Sequence, residues 1–326
     1  MNNNAYSFID LFAGVGGIRL AFTRNGCSCV FSSEWDTHSQ KTYHRNFGEL
    51  PHGDITKIDA KDVPDHDILT GGFPCQPFST IGKREGFSHP TQGTLFHDIA
   101  RIIKEKKPKA FLLENVAGLY SHDNGETFKL IKETLEHELG YWVDDRILDS
   151  ADFGVPQHRK RVYIVGFRKD LSPSEAFLFN WPEKQQEKVG IGQFVETGIS
   201  GYTISKHLQG SYIYKKDDGR PQIIDTDSDI QVKTLVSTYH KIQRLTGTFV
   251  SDGETGLRLL SENECKAIMG FPEYFEFPVS RTQMYRQMGN SVAVPVVEKI
   301  ATQMVKELER LLDEQVRKIW ARAKTA

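Results

Sequence analysis

The sequence predicts an α/β fold: a mostly parallel sheet with helices on both faces, joined to a second, smaller and irregular domain. Three observations carry this. Over the first 170 residues, short apolar runs alternate with stretches of helical periodicity. Chemically unusual turns follow several of those runs directly, where open α/β sheets place their sites. From about residue 172 the alternation gives way to Pro173, Pro182 and short polar runs such as Asp225-Thr-Asp-Ser-Asp229, and strong periodicity returns only late.

In chain order, strands are expected at Phe8-Ile-Asp-Leu-Phe12, Val30-Phe-Ser-Ser-Glu34, Asp67-Ile-Leu-Thr70, Ala110-Phe-Leu-Leu-Glu114 and Val162-Tyr-Ile-Val-Gly-Phe167. Ile18-Arg-Leu-Ala-Phe22 reads as a helix, and so does the run Leu95, Phe96, Ile99, Ile102, Ile103. The second ends well, with Lys104, Lys106 and Lys107 in its last turn and Pro108 beyond. Tyr202-Thr-Ile-Ser and Ser211-Tyr-Ile-Tyr read as small strands of the irregular domain. Ser261-Glu-Asn-Glu264 has the pattern of a capping box, and a final helix runs from Val294 through Ile300, Met304, Val305, Leu308 and Leu312. The expected division is 1–178 plus 286–326 against 179–285.

Composition sets bounds on function. The 326 residues are 38% hydrophobic, enough for a core, and no apolar run reaches the roughly 18 residues of a membrane span. Met1-Asn2-Asn3-Asn4 offers no signal-peptide pattern, so a cytoplasmic protein with no membrane contact is expected. Of the four cysteines, Cys27 and Cys29 are too close for a zinc pair and no second pair follows; no metal is expected. A net charge of −2 means that a nucleic-acid enzyme of this composition must gather its Lys and Arg on one face.

Five motifs carry chemistry. Asp10-Leu-Phe12-Ala-Gly14-Val-Gly16-Gly17 is a glycine turn between strand and helix, where a ligand can lie against backbone. Glu34 ends the next strand, suited to ribose hydroxyls, and Trp35 offers a flat face to a base. Gly53-Asp54-Ile55 stands where a third strand would bring a carboxylate to an exocyclic amine; together these point to an adenosine-containing cofactor. Gly71-Gly-Phe-Pro74-Cys75-Gln-Pro-Phe-Ser79 sets one thiol in a stiff loop after a strand. Glu114-Asn115-Val116 places a carboxyl at another strand end, able to act as an acid toward a ring nitrogen. In Gln157-His-Arg159-Lys-Arg161 the two arginines alternate into a strand and so share a face. Gln287-Met-Gly289-Asn290-Ser291 precedes the last helix.

In wording and order these blocks resemble the bacterial cytosine-C5 DNA methyltransferases of restriction–modification systems, and the resemblance covers nearly all the chain outside about 180–230. It implies a Rossmann-like S-adenosylmethionine-dependent methyltransferase sheet with a smaller target-recognition domain. Phe12, Glu34, Trp35, Asp54, Ile55 and Pro74 match positions lining the S-adenosylmethionine pocket, and Gly14, Gly16 and Gly17 lie beneath its methionine part. Cys75 matches the nucleophile, Glu114 the residue engaging cytosine N3, and Arg161 an arginine facing the base O2. Arg159 matches a support for the active-site backbone, and Asn290 a residue tying the last block to the catalytic core beside the cofactor. The loop at about 81–92, with Lys83 and Arg84, matches a segment that closes over DNA. Thr234-Leu235 resembles the signature that closes the DNA-reading segment of about 180–232. The resemblance further implies double-stranded DNA as partner, a cognate restriction endonuclease, and action as a monomer. A transfer-RNA cytosine methyltransferase and a catalytically silent DNA-binding relative are the alternatives; the long segment before Thr234 and the intact motifs favour the DNA enzyme. Adenine-N6 and cytosine-N4 methyltransferases use a thiol-free loop, unlike Phe73-Pro-Cys-Gln76.

Overall fold

The computed structural model describes residues 6–74, 95–171 and 178–323; Cys75, Lys83, Arg84 and the 81–92 loop lie outside the described residues. The apolar runs become β1 (Ser7–Leu11), then β2 (Ser28–Ser33) after helix α1 (Gly17–Arg24), and β3 (Ile68–Gly72) after helix α2 (Thr37–Phe47). Helix α3 (Leu95–Lys106) leads to β4 (Ala110–Val116), and α4 (Glu126–Glu133) to β5 (Tyr141–Asp149) and β6 (Lys160–Arg168). These six strands form one sheet in the order β2-β1-β3-β4-β6-β5. β1 to β4 pair in parallel, whereas β6 runs antiparallel to both neighbours.

Side chains of successive strand residues point to opposite faces. In β4, Ala110 and Leu112 join one apolar cluster, and Phe111 and Leu113 the other. Both faces are covered, which is why these strands read as continuous apolar runs. Helix α3 covers one face through Phe96, Ile99, Ile102 and Ile103. Its end is sharp: Lys107 takes a left-handed conformation at φ 48° just before Pro108.

After residue 178 come the one-turn helix α5 (Lys206–Leu208), the short parallel pair β7 (Gln222–Ile224) and β8 (Thr248–Val250), then α6 (Glu262–Met269), α7 (Arg281–Asn290) and α8 (Val294–Ala323). Helix α6 opens with the expected capping box between Ser261 and Glu264. Two readings need correction. Ser211-Tyr-Ile-Tyr lies in a helical turn over Gln209–Ile213, where the Tyr214 N–H bonds the Gln209 carbonyl at 2.8 Å. Of Tyr202-Thr-Ile-Ser only Thr203 makes a bridge, to Arg258.

Helix α8 returns to the sheet half and packs along α1, where Thr302 Oγ1 bonds the Asn25 side chain at 2.7 Å and Arg24 meets Glu298 at 3.0 Å. The buried residues of 178–285, among them Trp181, Ile204, Leu235, Phe249 and Leu260, form one apolar cluster with α1, α8 and one sheet face. Among the described residues no helix is long and apolar enough to cross a membrane.

Candidate active site

The carboxyl ends of β1, β2, β3 and β4 share one edge of the sheet. Because β6 is reversed, its beginning lies at that same edge, with Arg161 opposite Val116 of β4. This topology brings the separate motifs together.

At the end of β1 the chain turns sharply through Phe12, at φ 55°, into the glycine turn. Glu34, buried at 7% exposure, fills the space beside it. Its Oε2 accepts the Gly14 N–H and its Oε1 the Asp36 N–H, both at 2.8 Å. Burial raises its carboxyl above the ordinary range, against the pull of those amides. Trp35 next to it is 78% exposed. The pair thus offers an acid and a bare aromatic face within one step of chain. Asp54 differs from expectation. No strand carries it; it caps the single turn Ile55–Lys57, with Thr56 N and Oγ1 on its Oδ1 at 3.1 and 2.8 Å. Ile55 is buried.

The last block closes over the same turn. A Cβ on Gly17 would stand 2.8 Å from Ser291 Oγ, and one on Gly289 would stand 2.1 Å from the Ser237 backbone nitrogen, an approach that requires glycine. Thr42 of α2 donates to Gln287 of α7 at 2.9 Å. Asn290 itself is exposed at the end of α7. The expected tie to the core is made by its neighbours' carbonyls instead. The Arg159 guanidinium donates to Gly289 O at 2.9 Å, to Ser291 O at 2.5 Å and to Leu235 O at 3.1 Å. Burial, with Arg161 nearby, lowers its pKa to about 10, so it remains a cation at neutral pH.

At the centre, Glu114 meets Arg161, Nε to Oε1 3.2 Å, with both side chains near 15% exposure or below. Burial lifts the Glu114 carboxyl above its usual range while Arg161 and then Arg159 oppose the shift. A carboxyl so balanced can hold or release a proton in step with a neighbouring base. Gly72 of β3 pairs with Glu114, and a Cβ there would lie 3.3 Å from Glu114 Oε2. The chain then passes Phe73, buried, and exposed Pro74. Burial pushes the thiols of Cys27 and Cys29 up to about 11, and it pushes Cys265 up as well; none of the three suits a nucleophile.

Two residues inside the quoted motifs have roles that the motifs did not reveal. Asn115 donates to the Phe73 carbonyl at 2.8 Å, fixing the chain two residues before Cys75. Gln157, wholly buried, takes the Leu235 N–H at 2.6 Å and gives to Ile268 O at 2.7 Å. The sequence signal for each is its place in a motif beside a charged site residue. Leu235, expected at DNA, is 3% exposed with both backbone groups engaged by Gln157 and Arg159, so it braces the fold. The Thr234 hydroxyl donates to His158 O at 2.6 Å. Among the described residues no group of three His, Cys, Asp or Glu is placed to hold a metal.

The sequence pattern of the C-5 cytosine-specific DNA methylases matches residues 6–306. Two similar proteins are the type II methyltransferases M.MspI of Moraxella sp and M.BsuFI of Bacillus subtilis. The first is 60% identical over 92% of this chain and 70% of its own length. The second is 57% identical over 96% of this chain and 75% of its own. Among solved structures, a mutant form of Spodoptera frugiperda DNMT2 superposes with a TM-score of 0.74 at 21% identity, covering 93% of this chain and 99% of that one. S. pombe Dnmt2 gives 0.73 at 23% identity, covering 93% and 99%. At such identities the two structures speak for the fold.

Proposed function

The chain belongs to the C-5 cytosine-specific DNA methylases and methylates cytosine C5 in DNA as a type II modification methyltransferase, and from that premise we propose which of its residues do so. The observation that carries the proposal is the Glu114–Arg161 pair beside the Asn115-fixed backbone that leads into Cys75.

S-adenosylmethionine fits the residues at the β1 and β2 ends, and when bound there it supplies the methyl group. Glu34 would hold the ribose hydroxyls in place of the amides it now accepts, Trp35 and Phe12 would flank the adenine, and Asp54 and Ile55 would border it. The glycine turn, Pro74 and the α7 end near Asn290 would hold the remainder.

The target cytosine leaves the duplex, because its C6 and N3 are out of reach within the stack; unstacking costs a few kcal/mol. The Cys75 thiolate adds to C6. Glu114, carrying a proton, neutralises the charge developing at N3, and Arg161 faces O2. C5 becomes enamine-like and nucleophilic. After methylation, loss of the C5 proton expels the thiolate and restores the ring. Arg159 acts by fixing the backbone around this centre.

In this reading 1–178 and 286–326 carry catalysis, and 179–285 reads double-stranded DNA, with Lys83 and Arg84 contacting phosphate. The partners proposed are duplex DNA bound by a single copy of the chain and a cognate restriction endonuclease; the place of action is the cytoplasm. The test is trapping. Duplex DNA with 5-fluorocytosine at the target should form an adduct stable to denaturing electrophoresis, mapped to Cys75, because fluorine does not leave as the proton does. Cys75→Ser should lose both adduct and turnover, since a hydroxyl is far less ionised than a thiol. An adduct on Cys27, Cys29 or Cys265, or turnover by the Cys75→Ser protein, would sink the assignment.

A further inference from the structure

An open cleft of about 820 Å³ is lined by Arg161, the ion-pair partner of Glu114. One wall is the end of β5 and the start of β6, with Asp149, His158 and Lys160. The other carries Lys184 and Lys188, from the stretch that follows Trp181, and Thr234 also lines the cleft. Lys and Arg outnumber Asp four to two on the walls, while Glu183 and Glu187 do not line them.

Both outer lysines converge on a single carboxylate. Lys184 Nζ lies 2.8 Å and Lys188 Nζ 3.5 Å from the two oxygens of Asp152, whose side chain is 12% exposed against 68% and 44% for the lysines. Asp152 is fixed. It sits in the buried turn Ser150–Phe153, and its carbonyl takes the Gln185 N–H at 2.9 Å. The lysines are long and solvent-facing, so they can leave while Asp152 stays. Exposed ion pairs of this kind are weak and salt-sensitive. His158 is likewise held by Asp149, at 2.9 Å.

Resting on the reading of the site as a DNA cytosine methylase, we infer that this cleft seats the sugar–phosphate backbone next to the extruded nucleotide. In the free protein Asp152 holds the two ammonium groups that turn to phosphate in the complex. A base held at Glu114 and Arg161 must leave its sugar and phosphates at the outer side of that pair, where the cleft opens. Lys184 and Lys188 then exchange one shared carboxylate for phosphate oxygens. Contacts of this class position the strand and carry no sequence information. Lys184 and Lys188 are therefore binding residues outside base recognition.

The experiment measures binding of the full chain to duplex oligonucleotides as salt is varied. The Lys184→Ala/Lys188→Ala protein should bind more weakly by the same factor on cognate and unrelated DNA. Its log K against log salt should be shallower by about 2, for two lost phosphate contacts. Binding of S-adenosylmethionine should not change. Asp152→Asn should act in the opposite direction, tightening binding to unrelated DNA severalfold. The Lys184→Gln/Lys188→Gln pair repeats the test with side-chain bulk retained. If both lysine pairs keep the wild-type slope, or if Asp152→Asn weakens binding as the lysine variants do, the inference is wrong and the cluster only braces the fold. Failure of the unaltered protein to methylate any DNA would instead remove the parent reading.

Discussion

The sheet half and residues 178–285 bury their backbones in different ways. Across β1 to β6 the peptide groups satisfy one another along ladders, and the central strands β1, β3, β4 and β6 bury mostly apolar side chains. In 178–285 the named strands are only three residues each. There buried polar side chains take the place of ladders. Arg258, 1% exposed, donates to Leu259 O, Glu196 O, Asp252 and Glu264. Gln209 bonds Ile204 O and Thr255, and Arg244 bonds Ile213 O, Lys216 O and Asp218. A ladder tolerates many apolar sequences, whereas a pin depends on one side chain. The irregular half can therefore vary freely at its surface as long as a few buried groups remain.

The widest break in this comparison is expected from Arg258→Ala. It leaves Glu264 buried without its partner, and stability should fall by about 3–5 kcal/mol in urea unfolding. Replacing Arg258 and Glu264 together with methionine should recover most of that loss. A single-variant cost below about 1 kcal/mol would show that the pins do not hold this half.

The sheet half buries polar groups too, and one of them responds to pH. Asp10 in β1 is wholly buried; Thr70 donates to its Oδ1 at 3.2 Å, and its Oδ2 has no partner among the described residues. Burial raises its pKa to about 7, against the Thr70 hydroxyl and Arg19, while Glu34 adds to the rise. Near pH 2 the group is neutral in folded and unfolded chains alike, because a free aspartate ionises only at about 3.9. As pH climbs toward 7 only the unfolded chain ionises, so stability drains through that window and levels off above it. Asp10→Asn should abolish this loss. The variant should gain about 2–4 kcal/mol over wild type at pH 8 and almost nothing at about pH 2.5, read from paired denaturation curves. Parallel curves at both pH values would refute the assignment.

The smallest effect belongs to the capping box of α6. Ser261→Ala removes the capping box of α6 and should cost about 1 kcal/mol by thermal melting. A cost equal to that of Arg258→Ala would mean that caps and pins cannot be ranked this way.

The five apolar runs were legible as strands because the sheet is covered on both sides. β5 was not, since Asp144, Asp145 and Arg146 interrupt an edge strand with a partly open face. The groups proposed for the site were picked out by the order of their motifs. Their supports were less legible. Asn115 and Gln157 act through side-chain bonds to carbonyls and amides far away in sequence, and such bonds leave no periodic trace. Ser211-Tyr-Ile-Tyr alternates like a strand, but two of its neighbours decide otherwise: Ser205 caps a short helix there, and Gln209 anchors its far side. Asp54 shows a further limit, because spacing put it at a strand end whereas its own side chain closes a turn with Thr56.

The packing of α8 along α1 has a consequence for synthesis. Ile18, Leu20 and Phe22 share their cluster with Val297, Ile300, Met304 and Leu308, nearly 300 residues later in the chain. A ribosome adding about 5–20 residues per second releases β1 to β6 well before that cover exists. Throughout the interval the nascent sheet shows an oily flank to the cell, and Arg159 lacks the carbonyls of Gly289 and Ser291. Chaperones and proteases would meet the polypeptide in that state. A message cut short anywhere before codon 294 would thus yield a clearance substrate, not a truncated enzyme loose on the chromosome.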